Sequence, residues 1–492
     1  MTMIMSSIHI KRNVICRSVM LVALSAFCGL GIAAPAPDIA HLKAKDPHFG
    51  EALLYLYQGS YLSSMAHLTA FGKMQQLPTQ KEDGDLLLGI LQYAYGMHND
   101  AQGSFSKILS NKKYSQRTRD MAALYSAKIL YKQGVLAEAN NVASSVGDTL
   151  PARLKKEQNI LLANILIDRN QPLDAEKILL KLDGEGEIDT LSWYSQHNLG
   201  VVMLKNGQSR QGVSVLRKIS LGSFNDDEKR TLQDRANLVL GYAYVQAGDM
   251  NSAVGYFKKI RINGSFSFQA LLGLGFAEAA LGQHQRALIP WLELQKGDIR
   301  DSEVQEALLM IPEALFKLES YKKAQTAYQN AIFTYKSEID TLSSAIEATR
   351  AGQVTKNIFA KGMLGGDRWD ELIMQSSVAP EARYFPWYMR DEVFREVVRI
   401  YRESLSLRGV MAAQKESLGD YGLSPVVTAR YAEKISGRMA EIDDTIIKTE
   451  RHIQHLAINW LEQRKASLND YLSQASLGSA KVYHHAAERG GQ

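Results

Sequence analysis

The chain has 492 residues, 46 % of them apolar and 22 % charged, with only 11 prolines. That balance excludes wholesale disorder and a collagen-like chain. Lys and Arg exceed Asp and Glu by 57 to 52, too even a ratio for a dedicated nucleic-acid binder.

The first segment reads as an address. Lys11, Arg12 and Arg17 precede an uncharged run over residues 18–34, and small residues at Gly31, Ala33 and Ala34 lead into Pro35 and Pro37. The run is short for a membrane span, which needs roughly 20 apolar residues. A secretory signal peptide over residues 1–33, cut after Ala33, is the expectation. An uncleaved inner-membrane anchor is one alternative. Lipid attachment at Cys28 is another, poorly served by the bulky Phe27. Each places the body of the protein outside the cytoplasm, in the periplasm. Cys16 and Cys28 are the only cysteines, so a processed chain would have no disulfide and no thiolate nucleophile. Loss of the leader removes three positive charges and lowers the formal net charge from +5 to +2.

From residue 46 to about 332 a repeat governs the chain. Leu240-Gly241, Tyr244, Gly248, Ala253 and Phe257 recur as Leu274-Gly275, Gly282, Ala287 and Trp291, and as Leu199-Gly200, Gly207, Gly212 and Leu216. Corresponding positions fall at Ala52, Gly89, Ala127, Ala163, Gly200, Gly241, Gly275 and Pro312. Such a period predicts about eight pairs of antiparallel helices, none able to bury its apolar face alone. Small residues mark close helix approach, large ones fill the gaps, and Gly207 or Gly248 ends a first helix in the left-handed region. This pattern resembles the tetratricopeptide repeat (TPR) family. The resemblance implies an all-α, right-handed solenoid with a concave groove for a protein or peptide segment. Gly212 and Ser64 depart from the usual Ala, and Pro312 puts the regularity of the last pair in question.

The region 333–476 is expected to be a helical bundle. Its last helix, from about Val427 to Leu472, carries a coiled-coil-like seam through Ile435, Met439, Ile442, Ile446, Thr449, Ile453, Leu456 and Trp460, spaced by four and three residues. Folding back on its own chain is preferred to pairing with a second copy. Residues 477–492 are expected to fray.

Motifs of catalysis are missing: no G-x-x-x-x-G-K-[ST] loop, G-x-S-x-G elbow or H-E-x-x-H helix occurs. Gly273-Leu274-Gly275 is accounted for by helix packing, and residues 362–370 by a turn rather than an anion cradle. His452 with His455 reads as a solvated face, and His484-His485 as tail; no metal or cofactor is expected. By the family resemblance, the concave side would carry Tyr93, Lys128, Tyr131, Lys132, Asn164, Tyr194, His197, Lys205, Arg235, Tyr242 and Gln246. The Lys/Asn carboxylate clamp of chaperone-binding TPR domains is not reproduced. The reading is a non-enzymatic periplasmic scaffold within an envelope-associated complex of energy-transduction or secretion type. A scaffold for polysaccharide export or modification is the first alternative. A carbohydrate-active or lytic enzyme in the C-terminal third is the second.

Overall fold

A computed structural model describes residues 43–58, 60–73, 79–94, 97–182, 189–354, 382–421 and 424–490. The expected leader, both cysteines and the 362–370 turn lie outside them. Among the described residues there are nineteen α-helices and no strand. Two compact units share the chain, with the border after Pro290.

The first unit is built of helical hairpins. Its helices are α1 Pro47–Tyr57, α2 Tyr61–Lys73, α3 Lys81–Ala94, α4 His98–Ser110, α5 Gln116–Lys132, α6 Leu136–Ser144, α7 Ala152–Asp168, α8 Pro172–Leu182, α9 Thr190–Lys205, α10 Ser209–Ser220, α11 Asp227–Ala247, α12 Met250–Phe257 and α13 Ser267–Ala280. The border falls within α14, His284–Leu294. Several starts are capped by side chains that accept a first-turn N–H: Asp46, Ser115, Asp226 and Asp249, with Asp189 and Ser192 forming a reciprocal box.

First helices end by a recurring device. Gly134, Asn170, Gly207, Gly248 and Gly282 all have positive φ, between 58° and 84°. Each lies seven residues after a repeat position, in the order Ala127, Ala163, Gly200, Gly241 and Gly275. The N–H of the following residue reaches back to close the end, as in Gln208 N to Met203 O at 2.8 Å and Asp249 N to Tyr244 O at 3.0 Å.

Small and large repeat residues meet as pairs sixteen positions apart. A Cβ built on Gly89 would stand 2.6 Å from Phe105, one on Gly200 2.6 Å from Leu216, and one on Gly241 2.5 Å from Phe257. Phe257 also lies against Gly273 of the next pair, where a Cβ would meet it at 2.6 Å. The glycine at 212, where Ala is usual, has its reason here: a Cβ would stand 2.7 Å from the Gly200 carbonyl oxygen and 3.0 Å from the Leu204 nitrogen. Backbone cannot rotate aside as a side-chain end can. Gly212→Ala is therefore expected to destabilise the first unit by about 2 kcal/mol, read as a lower urea midpoint. An unchanged midpoint would show that α9 and α10 separate freely.

The hairpins bury a series of small cores in sequence, such as Phe49, Leu53, Leu68 and Leu87, then Phe105, Met121, Leu124 and Ile129, then Leu216, Leu232 and Leu240. First helices also touch the first helix of the next pair, from α3 with α5 through α11 with α13, while second helices make no comparable approach to each other. The first helices therefore line the inner side of the stack.

The second unit contains α15 Ser302–Lys317, α16 Tyr321–Arg350, the short α17 Phe385–Tyr388, α18 Glu392–Glu416 and α19 Pro425–Gly490. Pro312 stays inside α15 and is buried, so it does not break the pair as its residue type suggested. The expected border at 332/333 is replaced by one at 290/291. The cause is α16, whose 30 residues pack along α19 in a core that also takes in Leu308, Tyr335, Tyr384, Tyr388, Ile453 and Leu468. The long helix thus folds onto its own chain. Its buried stripe runs through Ile453, Ala457, Leu461, Leu468, Ala475 and Val482, further along the chain than the expected seam. The expectation of a frayed tail from 477 is corrected: α19 continues to Gly490. Gly478 sits against the Tyr328 ring, which leaves no room for a Cβ, and Ser479 accepts from Gln325 Nε2 at 2.8 Å.

Candidate functional site

The residues expected on the concave side lie on the first helices, and most reach the next first helix in the stack. Tyr93 of α3 sets its ring against Tyr125 of α5 at 5.4 Å, with Lys132 Nζ 5.3 Å from the Tyr93 centroid. Lys128 of α5 pairs with Glu157 Oε1 of α7 at 2.8 Å and stands over the Tyr125 ring. Burial pushes its ammonium below the usual lysine range, against the pull of Glu157. Tyr131 donates to Asp168 Oδ2 at 2.7 Å. Asn198 Nδ2 of α9 donates to Asn164 Oδ1 of α7 at 2.7 Å. Lys205, at the end of α9, is lowered by burial while Asp168 favours its charge. Tyr242 of α11 donates to the Gln269 carbonyl of α13 at 3.1 Å and packs edge-on against Phe257. Gln246 is exposed.

These contacts make much of the row a ladder joining successive pairs. The rungs recur because each repeat offers the same positions to its neighbour. One expected residue is corrected outright. His197 is fully buried and faces no open groove. Burial, reinforced by the nearby Arg235 guanidinium, pushes its imidazole down to about 3, so it is neutral near pH 7.

A recess opens where three first helices meet. Tyr194 of α9, Glu228, Thr231, Leu232 and Arg235 of α11, and Phe266 at the start of α13 line a volume of about 150 Å³. A cavity of about this size holds one benzene-like ring. Tyr194 donates to Glu228 Oε1 at 3.1 Å, and burial followed by the Glu228 charge pushes the phenol up to about 12. It is therefore a neutral donor with an apolar ring. Tyr194 and Arg235 were among the expected residues; Glu228, Thr231, Leu232 and Phe266 were not. The signal for the α11 group was present as the spacing i, i+3, i+4, i+7 ending at Arg235.

The second unit has a recess of about 350 Å³ between α16 and α19, lined by Glu347, Arg350, Glu462 and Lys465 among others. Its Glu462 is held by Arg350 at 2.7 Å. His452 and His455 are exposed on α19, as their spacing suggested. His485, placed in the tail, meets Tyr321 Oη at 3.2 Å. The one group of three metal-capable side chains among the described residues is His48, Glu51 and His67, on α1 and α2; the sequence reading named none of them.

Left-handed ends seven residues after each repeat position, glycines seated on Phe105, Leu216 and Phe257, and an inner row of first helices decide the architecture. The architecture is an all-α stack of helical hairpins, and its repeat grammar resembles that of the tetratricopeptide repeats. No protein-family model matches the sequence, and no curated protein matches it. Among solved structures, the chain is similar to a tetratricopeptide repeat protein from Parabacteroides merdae, at 14 % identity over 54 % of this chain and 97 % of that one, with a TM-score of 0.38. It is similar to PilW, a type IV pilus biogenesis factor, at 20 % identity over 47 % and 99 % of the two chains, with a TM-score of 0.37. It is similar to the apo form of RapI at 12 % identity over 76 % and 98 %, with a TM-score of 0.42.

Proposed function

We propose that the protein is an exported scaffold that binds an extended segment of a partner protein along its first-helix face, within an envelope-associated complex of energy-transduction or secretion type. The observation that carries the binding part is the recess shared by α9, α11 and α13. A bulky apolar side chain of the partner fits between the Tyr194 and Phe266 rings and Leu232, with Thr231 and Arg235 completing the wall. Much of the affinity would then rest on one anchor in a preformed hollow, as is common at protein interfaces. The export part is supported by the basic start, short apolar run and small-residue exit of residues 1–34.

A photo-crosslinking residue at Thr231 in cells should capture the partner, and peptides tiling that partner then locate the segment. Thr231→Trp fills the recess and is expected to weaken the best peptide about 30-fold, the size of a single hot-spot loss. Unchanged affinity would remove the recess from the interface. Fractionation of cells tests export separately: retention with cytoplasmic markers overturns it.

A further inference from the structure

The first hairpin brings three ligating side chains to one place. His48 and Glu51 are one turn apart on α1, and His67 comes from the antiparallel α2. Glu51 Oε2 is 3.0 Å from His67 Nε2 and 3.6 Å from His48 Nδ1, and the three donor atoms all lie within 4.8 Å of one another. A tetrahedral zinc site with ordinary Zn–N and Zn–O lengths spaces its donors by about 3.4 Å, between the two measured separations. Both facing imidazole nitrogens are shielded from solvent and make no hydrogen bond. Their polar neighbour is the Glu51 carboxylate, with which a protonated imidazole forms an ion pair and two neutral ones can share a cation.

The surroundings orient the rings. Phe71 stacks on His48 with centroids 3.9 Å apart and interplanar angle 14°, and lies 4.3 Å from His67. A single aromatic wall therefore fixes both imidazoles. His67 is 14 % exposed and Glu51 56 %, which leaves the carboxylate side open for an ion to enter.

We propose that His48, Glu51 and His67 bind one divalent transition-metal ion of the zinc class, clamping α1 to α2. Two imidazoles and one carboxylate are a donor set for zinc-like or ferrous ions; magnesium and calcium require oxygen ligands. With three protein ligands the fourth position is left to water or a partner group. The clamp has a physical use in a stack. Among the described residues the first pair packs on one neighbouring pair only, and repeats with a single neighbour are the first to open.

The test is titration of the full metal-free chain with Zn²⁺, and with Co²⁺ as a coloured reporter of coordination. One equivalent is expected to bind, with the visible spectrum of a low-coordinate nitrogen and oxygen site. Zn²⁺ should also slow cleavage of the α1–α2 hairpin by protease. His67→Gln and Glu51→Gln are each expected to weaken binding at least 100-fold, at or above the effect of losing a supporting contact around a metal. Glu51 is mostly exposed, so its variant tests binding even if His67→Gln disturbs the hairpin. The double variant His452→Asn with His455→Asn should bind as the parent does. Absence of saturable Zn²⁺ binding, binding by the Glu51 and His67 variants as tight as the parent's, or loss of the ion in the His452/His455 variant would each overturn the assignment.

Discussion

Replacing Glu306 by Gln is expected to stabilise the second unit by about 3 kcal/mol near pH 8 and by nothing near pH 4. Glu306 lies on α15, partly buried, with Glu303 one turn earlier and the phenols of Tyr335 and Tyr471 close enough to feel its charge. Burial, then repulsion from Glu303, raises its carboxyl from 4.5 to about 7. Nearby Arg464, its charge disfavoured first by burial, is drawn to Glu303 and Asp301. A folded-state value above the unfolded one means that the native unit holds a proton which the unfolded chain has released. The favourable contribution is complete below about 4.5 and is lost as the pH rises through about 7. Gln keeps the shape and removes the titration. Urea unfolding followed by fluorine NMR of fluorotryptophan-labelled protein provides the measure, because Trp460 packs against this core. A stability difference between parent and Glu306→Gln that stays constant from about pH 4 to about pH 8 would refute the assignment.

Acid is expected to weaken the first unit through a single histidine. His197 is buried on α9, its Nδ1 3.4 Å from Asn198 Oδ1, and its imidazole is pushed down to about 3. Here the folded value lies below the unfolded one of 6.5. The contribution is intact above about pH 6.5 and drains away as the pH falls toward about 3, because the unfolded chain takes up a proton that the native one refuses. At about pH 4.5 the loss amounts to about 3 kcal/mol. Trp193 is the one tryptophan before Pro290, so its fluorine resonance reports this unit separately from the other. His197→Gln should flatten the acid limb of that resonance's urea midpoint. An equally steep limb in the variant would mean that carboxylates, not His197, govern acid sensitivity here.

The two units differ in how far their packing was legible in the chain. In the first, each hairpin repeats the same short-range contacts. The offset from Gly241 to Phe257 and the offset from Gly241 to Gly248 are local in sequence, and their recurrence prints the architecture. Even Asn170, where glycine is missing, keeps the left-handed turn because its neighbours impose it. In the second, the stretch from Leu477, with Gly478 and Ser479 near its start, is the one expected to fray. Small polar residues serve equally well for fraying and for close packing, and only the arrival of Tyr328 and Gln325 from α16, about 150 positions away in the chain, selects packing.

The candidate sites divide by the same rule. Tyr194 and Arg235 were readable as first-helix positions, since one repeat's grammar places them. His197, three residues from Tyr194, obeys the same grammar and is sealed in the interior. Its burial depends on the angle at which α11 lies against α9, which no single hairpin specifies. His48, Glu51 and His67 carry no motif spacing, because the contact between α1 and α2 makes the cluster. In the first unit the sequence by itself determined the helices, their ends and the order in which they stack, all consequences of contacts within about forty residues. Which side chains are buried, which share a hollow and which three surround one point was decided by the tertiary structure, because those properties arise from the relative placement of helices that touch only after folding.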